Sequence, residues 1–170
     1  MITLEQLLAS RDARVSLQHR LLESHPELTL VCLTVQLPGS EKRNADSLVI
    51  GGAGLAAVLE RFGSAVSHVQ VKDLPTGYEA YFLVSMDAQE AKRLACRIED
   101  EHPLGRLMDI DVVGADGPLS RQDIGLPARQ CLLCGNDVRF CMRAKSHSTE
   151  ELLAKIQQMV NNYTLWNTEN

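Results

Sequence analysis

Apolar and polar positions along this chain follow two spacings, one helical and one alternating. At the start, Leu4, Leu7, Leu8, Val15 and Leu22 recur at roughly helical intervals, and Thr3 with Gln6 offers a capping box to open the helix. LTLVCLTVQL (28–37) is β-branched, apolar and closed by Pro38-Gly39, which predicts a buried strand. A second helix is predicted over about 44–62, with Gly51, Gly52 and Gly54 weakening its middle. AVSHVQVKDL and YEAYFLVSM alternate as two strands, joined by the turn Pro75-Thr76-Gly77. Asp87 caps a third helix with Glu90 as its partner, and Pro103 follows the helix end. RLMDIDVVGADGPLSRQDIG then predicts a short strand, a turn at Ala115-Asp116-Gly117 and a second strand near Leu119. Residues 127–147 read as irregular. Ser148 with Glu151 opens a last helix bearing Leu152, Leu153, Ile156 and Val160, and the tail NNYTLWNTEN is expected to fray.

These elements predict the α/β (α+β) class, with a mixed, partly antiparallel sheet and flanking helices. Length and the lack of repeats or low-complexity linkers predict one domain over 1–170, with a Cys/His-containing segment at about 127–147. A chain this long buries about 70% of its unfolded surface. Its 45% hydrophobic and 23% charged residues are ordinary for a soluble protein. No run approaches the ~20 apolar residues of a membrane span. The start, MITLEQLLASRDAR, lacks the basic and apolar regions of a signal peptide. The expectation is a cytoplasmic protein with no membrane partner.

A net charge of −5 opposes binding to nucleic acid, and none is expected as a partner. The charge is uneven: His102 to His147 holds six basic residues and five Asp, whereas the remainder holds eleven basic and seventeen acidic residues. That least acidic segment also contains the phrase that most resembles chemistry, Asp109-Ile110-Asp111. On a strand, residues i and i+2 leave the same face, roughly 6–7 Å apart at the backbone. Two carboxylates so placed reach one hard cation or bridge two, and Mg²⁺ favours such sites together with substrate phosphates. The plainer alternative is a solvated strand face. Asp is depleted in strands and like charges on one face repel, so the pair calls for compensation, which a cation supplies.

Five cysteines, an odd number, argue against a secreted disulfide framework. Cys131, Cys134, Cys141 and His147 supply four candidate ligands for a structural Zn²⁺, with Gly135 easing the turn after Cys134. Buried free thiols are the competing reading. No second CxxC or HxxxH completes a standard finger, and no helix is predicted to start between the thiols of a redox CxxC. Cys32 and Cys96 fall in apolar strand and helix patterns and are expected in the core. Arg106, Arg121 and Arg129 flank the Asp strand, where guanidinium forks suit phosphate oxygens, and Arg11 and Arg14 lie one turn apart near the start. Asp123 offers a third carboxylate beside Arg121. Each of these is equally a surface charge or an ion-pair partner.

Two resemblances sharpen this picture. Asp–apolar–Asp–apolar resembles the strand signature of polymerase-β-like nucleotidyltransferases, although CRIEDEHPLGR upstream lacks that superfamily's Gly-Ser or Gly-Gly pair. LLASRDARVSLQ, HPLGRLMDIDV, LSRQDIGLPARQCLLC and CMRAKSH together resemble the citrate lyase holo-carrier-protein synthase family, the apo-citrate lyase phosphoribosyl-dephospho-CoA transferases. The resemblance runs in order along nearly the whole chain. It implies transfer of the phosphoribosyl-dephospho-CoA group from 2'-(5''-triphosphoribosyl)-3'-dephospho-CoA to a serine of the apo acyl-carrier subunit of citrate lyase, with release of diphosphate. By analogy with a related transferase for malonate decarboxylase, it favours Asp109 and Asp111 as the Mg²⁺ ligands. Arg106 and Arg121 would then hold phosphate oxygens, and Asp123 or one of the pair would accept the serine proton. Two rivals stand beside this reading: a zinc-stabilised interaction module without catalysis, and a nucleotidyltransferase with another acceptor.

Overall fold

Helix starts follow the local caps. The computed structural model describes residues 2–35 and 37–169. Helix α1 (Leu4–Ser24) opens on Thr3, whose hydroxyl accepts from the Gln6 amide while the Gln6 side chain accepts from the Thr3 amide. Helix α2 (Ala45–Phe62) has the same reciprocal cap in Asn44 and Ser47. Helix α3 (Ala88–Glu101) opens on Asp87, which accepts from the amides of Gln89 and Glu90. Helix α4 (Val138–Ala144) interrupts the segment predicted as irregular, because Asp137 caps it by accepting from the Arg139 amide. Helix α5 (Thr149–Glu169) opens on the expected Ser148–Glu151 box.

The tail expected to fray is helical as far as Glu169. Within it Tyr163 packs against the main core, its ring centroid 5.4 Å from that of His102. Asn170, at the end of that stretch, lies outside the described residues.

The sheet comprises β1 (Thr29–Val35), β2 (Val66–Leu74), β3 (Gly77–Val84), β4 (Met108–Gly114) and β5 (Gly117–Leu119), in the order β2-β3-β1-β4-β5. Gln36, inside the predicted first strand, lies outside the described residues. Every pairing is antiparallel, so the expected class holds and the pairing is more uniform than "partly antiparallel".

Alternation divides the strands between two faces. Val31, Leu33, Phe82, Met108, Ile110 and Val112 enter the main core beneath α2, α3 and α5. Gly51 and Gly54, expected to weaken α2, let it approach this face. A Cβ at Gly51 would stand 2.4 Å from the Tyr78 ring, and one at Gly54 would stand 2.8 Å from Leu33. By length and composition α2 matches a bilayer-crossing helix. Burial of Ile50, Val58 and Phe62 in the core accounts for that apolar character.

The opposite face lies under α1 and is graded in rows by the register. Leu83, Leu30 and Val113 form an apolar row, Tyr81, Cys32 and Asp111 a mixed one, and Glu79, Thr34 and Asp109 a polar one. Leu17 packs on this side with Leu30, Cys32, Tyr81 and Leu83, joined by Leu21 and Leu22. The apolar stripe predicted for α1 is corrected accordingly. Leu4 and Leu8 are 72% and 49% exposed, because only the second half of the helix lies over the apolar row, and Val15 within that half is 50% exposed.

Candidate active site

Strand β5 pairs only with Val112–Gly114, so the outer edge of β4 at residues 108–111 has no strand beside it. Side chains take that place. Glu99 Oε1 accepts from the Ile110 amide at 2.9 Å, and Lys92 Nζ donates to the Ile110 carbonyl at 3.2 Å. Arg129 donates to the carbonyls of Met108 and Arg106 at 2.8 and 3.1 Å. Lys92 and Glu99 are 5% and 2% exposed, and buried charges are tolerated only with partners of this kind.

The carboxylates of Asp109 and Asp111 project from that edge onto the α1 face of the sheet, opposite Ile110. They line a cleft of about 380 Å³, together with Lys92 and Glu99 of α3, Ser120–Gln122 after β5, and Arg129 and Arg139. Crowding by surrounding protein, and then the Asp109 charge, raise the Asp111 pKa, while Lys92 opposes the rise. A cation between the two would remove that repulsion. The donor set, two adjacent carboxylates on one face of a cleft, fits Mg²⁺.

The arginines divide. Arg121 donates to Glu99 at 2.7 Å and to Asp100 at 2.8 and 3.1 Å, so its Nη atoms brace α3. Its buried Nε has no hydrogen-bond partner among the described residues. Arg129 Nη1 lies 3.5 Å from Asp109 and 3.8 Å from Glu99, joining the edge to the pair. Burial, then the charges of Arg129 and Arg121, lower the Arg106 pKa, and Arg106 is not part of the cleft lining.

Asp123 does not lie on a neighbouring strand. It sits in a 3-10 turn after β5, where Oδ2 accepts from both the amide and the hydroxyl of Ser120 at 2.7 Å, and it is not part of the cleft lining.

Arg11 and Arg14 line a different hollow, about 130 Å³, between α1 and the sheet with Lys42, Thr34 and Glu79. Arg14 pairs with buried Glu79 at 2.8 Å, and Tyr81 donates to the other oxygen of that carboxylate. Burial, followed by Arg11, lowers the Lys42 pKa. Thr34, which lines this hollow, lies opposite Asp109 across the strand pair. A third hollow, about 560 Å³, runs between the second half of α1 and the β4–β5 hairpin, with Val15, Leu22, Leu28 and Val113 in its walls; Pro118 belongs to both it and the Asp cleft.

The Cys/His segment gathers its four predicted ligands. The ligand atoms of Cys131, Cys134, Cys141 and His147 all lie within 4.8 Å of one another, a set that could hold a metal such as zinc. Hydrogen bonds from the Asn136 amide, His147 and Cys141 draw the Cys134 thiol down to about 6, whereas burial pushes Cys141 up to about 11. Cys32 is buried in the sheet, as expected, and burial pushes its thiol up to about 12; Cys96 is buried likewise.

Sequence reasoning missed Lys92, Glu99 and Arg139. A signal for the first two existed: they stand seven residues apart on the stripe of Ala91, Ala95 and Ile98 that α3 buries, where charge is out of place.

The model of the CitX family, described as apo-citrate lyase phosphoribosyl-dephospho-CoA transferase, matches residues 2–163. A probable apo-citrate lyase phosphoribosyl-dephospho-CoA transferase of Vibrio cholerae is 42% identical over 168 residues, covering 96% of this chain and 94% of the relative. A transferase of the same name from Escherichia coli is 35% identical over 164 residues, covering 94% and 89%. Protein CitXG of Haemophilus influenzae is 36% identical over 166 residues, covering 95% of this chain and 36% of the relative.

Proposed function

Because the chain belongs to the apo-citrate lyase phosphoribosyl-dephospho-CoA transferase family, we propose that the cleft beside β4 performs a nucleotidyltransferase-type transfer. The donor is 2'-(5''-triphosphoribosyl)-3'-dephospho-CoA and the acceptor is a serine of the apo acyl-carrier subunit of citrate lyase. The single observation that supports this placement is that Asp109 and Asp111 stand together at the open edge of β4, facing a cleft.

Bound between Asp109 and Asp111, Mg²⁺ would supply charge neutralisation for the triphosphate. The chain's own residues do the rest. Arg129 and Arg139 present positive charge at the cleft, which Arg121 also lines. On the far side of Thr34, Arg11, Arg14 and Lys42 give a second cationic wall.

The serine Oγ forms a bond to the α-phosphorus, the bond from that phosphorus to the diphosphate oxygen breaks, and the serine proton passes to a carboxylate of the pair. Asp123 is the weaker choice for that acceptor, since its oxygen serves the Ser120 turn. The apolar hollow that shares Pro118 with the cleft as a lining residue falls within the size range of ligand sites and suits the adenine or pantetheine portion.

Mass spectrometry of the apo acyl-carrier subunit, incubated with this protein, the triphosphate donor and Mg²⁺, tests the reading. A gain equal to the phosphoribosyl-dephospho-CoA group on serine is expected, with one diphosphate released per group attached. An unchanged acceptor mass while the donor is consumed would point to another acceptor.

A further inference from the structure

We propose that Cys131, Cys134, Cys141 and His147 bind one Zn²⁺, and that this ion holds the Arg129–Arg139 wall against the Asp cleft. The ligand geometry is the first support. A tetrahedral zinc with bonds near 2.3 Å sets its ligand atoms about 3.8 Å apart. Here Cys134 Sγ lies 3.4 Å from Cys141 Sγ and 3.3 Å from His147 Nε2, with all four ligand atoms within 4.8 Å. A disulfide would use two of the four groups and leave the convergence of Cys131 and His147 without a cause.

Packing is the second support. Over residues 127–147 the buried residues are Cys131 and Cys141 alone, both of them ligands, whereas Phe140 and Met142 are 62% and 72% exposed. The segment therefore has little apolar burial to hold its shape, and short segments of this kind are commonly cross-linked by a metal. Three thiolates and one Zn²⁺ leave a single negative charge, and α4 carries Arg139 and Arg143 with Lys145 at its end.

The third support is where the knuckle leads. The Cys131 amide donates to the Asn136 carbonyl, Gln130 bridges Asp137, and the Val138 amide donates to the Arg129 carbonyl at 3.0 Å. This small loop fixes the backbone of Arg129, whose side chain caps the β4 edge and meets Asp109, and it aims Val138 and Arg139 into the cleft. The zinc site stands on its own geometry, while its importance for turnover rests on the function proposed above.

The test uses the full chain and two readouts independent of transfer. Reduced protein supplied with zinc should hold about one zinc per chain by elemental analysis, and Co²⁺ in its place should give the intense visible bands of tetrahedral thiolate coordination. Cys134→Ser and Cys141→Ser should each weaken metal binding at least tenfold. Removing zinc from the wild-type protein should raise amide exchange over 128–139 and leave β1 and β3 protected. Less than a tenth of an equivalent of bound metal would overturn the site. Zinc removal with no change in exchange over 128–139 would overturn its role as a prop. Loss of transfer with the zinc retained would count against the proposed cleft and not against the zinc.

Discussion

The two faces of the three central strands, β3, β1 and β4, behave as different materials. Facing α2, α3 and α5, residues such as Leu33, Phe82 and Ile110 are fully buried and wholly apolar. Facing α1, their immediate neighbours fall in rows that grow more polar along the strands, from Leu83, Leu30 and Val113 through Tyr81, Cys32 and Asp111 to Glu79, Thr34 and Asp109. Stability is concentrated on the first face, which frees the second to hold like charges side by side. Ile110 shows the division within three residues: its side chain fills the core, its peptide group is held by Glu99 and Lys92, and the carboxylates on either side face the cleft.

Substitutions on either face should separate stability from activity. The largest effect belongs to the pair. Asp109→Asn or Asp111→Asn should lower the transfer rate by roughly 10³-fold, the order lost when a charge-stabilising group leaves an active site. Because folding raises the Asp111 pKa, the unfolded chain ionises more readily, and folding loses stability as pH rises through the interval between the unfolded and folded values. Asp111→Asn should therefore melt no lower than wild type at neutral pH in the absence of metal, a result calorimetry checks. Ile110→Ala should do the reverse, costing about 2–5 kcal/mol of stability in urea titration, with activity per folded molecule far less affected than by either Asp variant. A smaller effect is expected at the trough. Val15→Glu should raise KM for the donor several-fold and leave kcat close to wild type, since the charge would enter an apolar wall away from the reacting phosphate.

Legibility in the sequence followed the range of the interactions. The boxes at Thr3–Gln6 and Ser148–Glu151 were readable because each closes within one turn. The common face of Asp109 and Asp111 was readable because strand alternation needs no partner to be known. Sheet order was not readable, and it alone decides that β4 has an open edge. Lys92, Glu99 and Arg129 therefore became visible as edge caps only in three dimensions. For the same reason Arg121, which the sequence suggested for phosphate, turns out to spend its Nη atoms on Glu99 and Asp100. The exposure of Leu4 and Leu8 was hidden too, because helical spacing says which residues align but not how far the sheet beneath extends. In the Cys/His segment the four side chains that converge could be read from the sequence, while α4 among them could not, since its start depends on the single cap at Asp137.

The account depends most on a cation held between Asp109 and Asp111, and Mn²⁺ reports on such a site directly by electron paramagnetic resonance. Titrating Mn²⁺ into the wild-type protein with the triphosphate donor should show binding beyond that of the donor alone, which weakens on acidification as Asp111, whose pKa folding raises, takes up a proton. Asp111→Asn should lose that binding while keeping its melting temperature. Equal Mn²⁺ affinity in the wild-type protein and in both Asp→Asn variants would contradict the assignment.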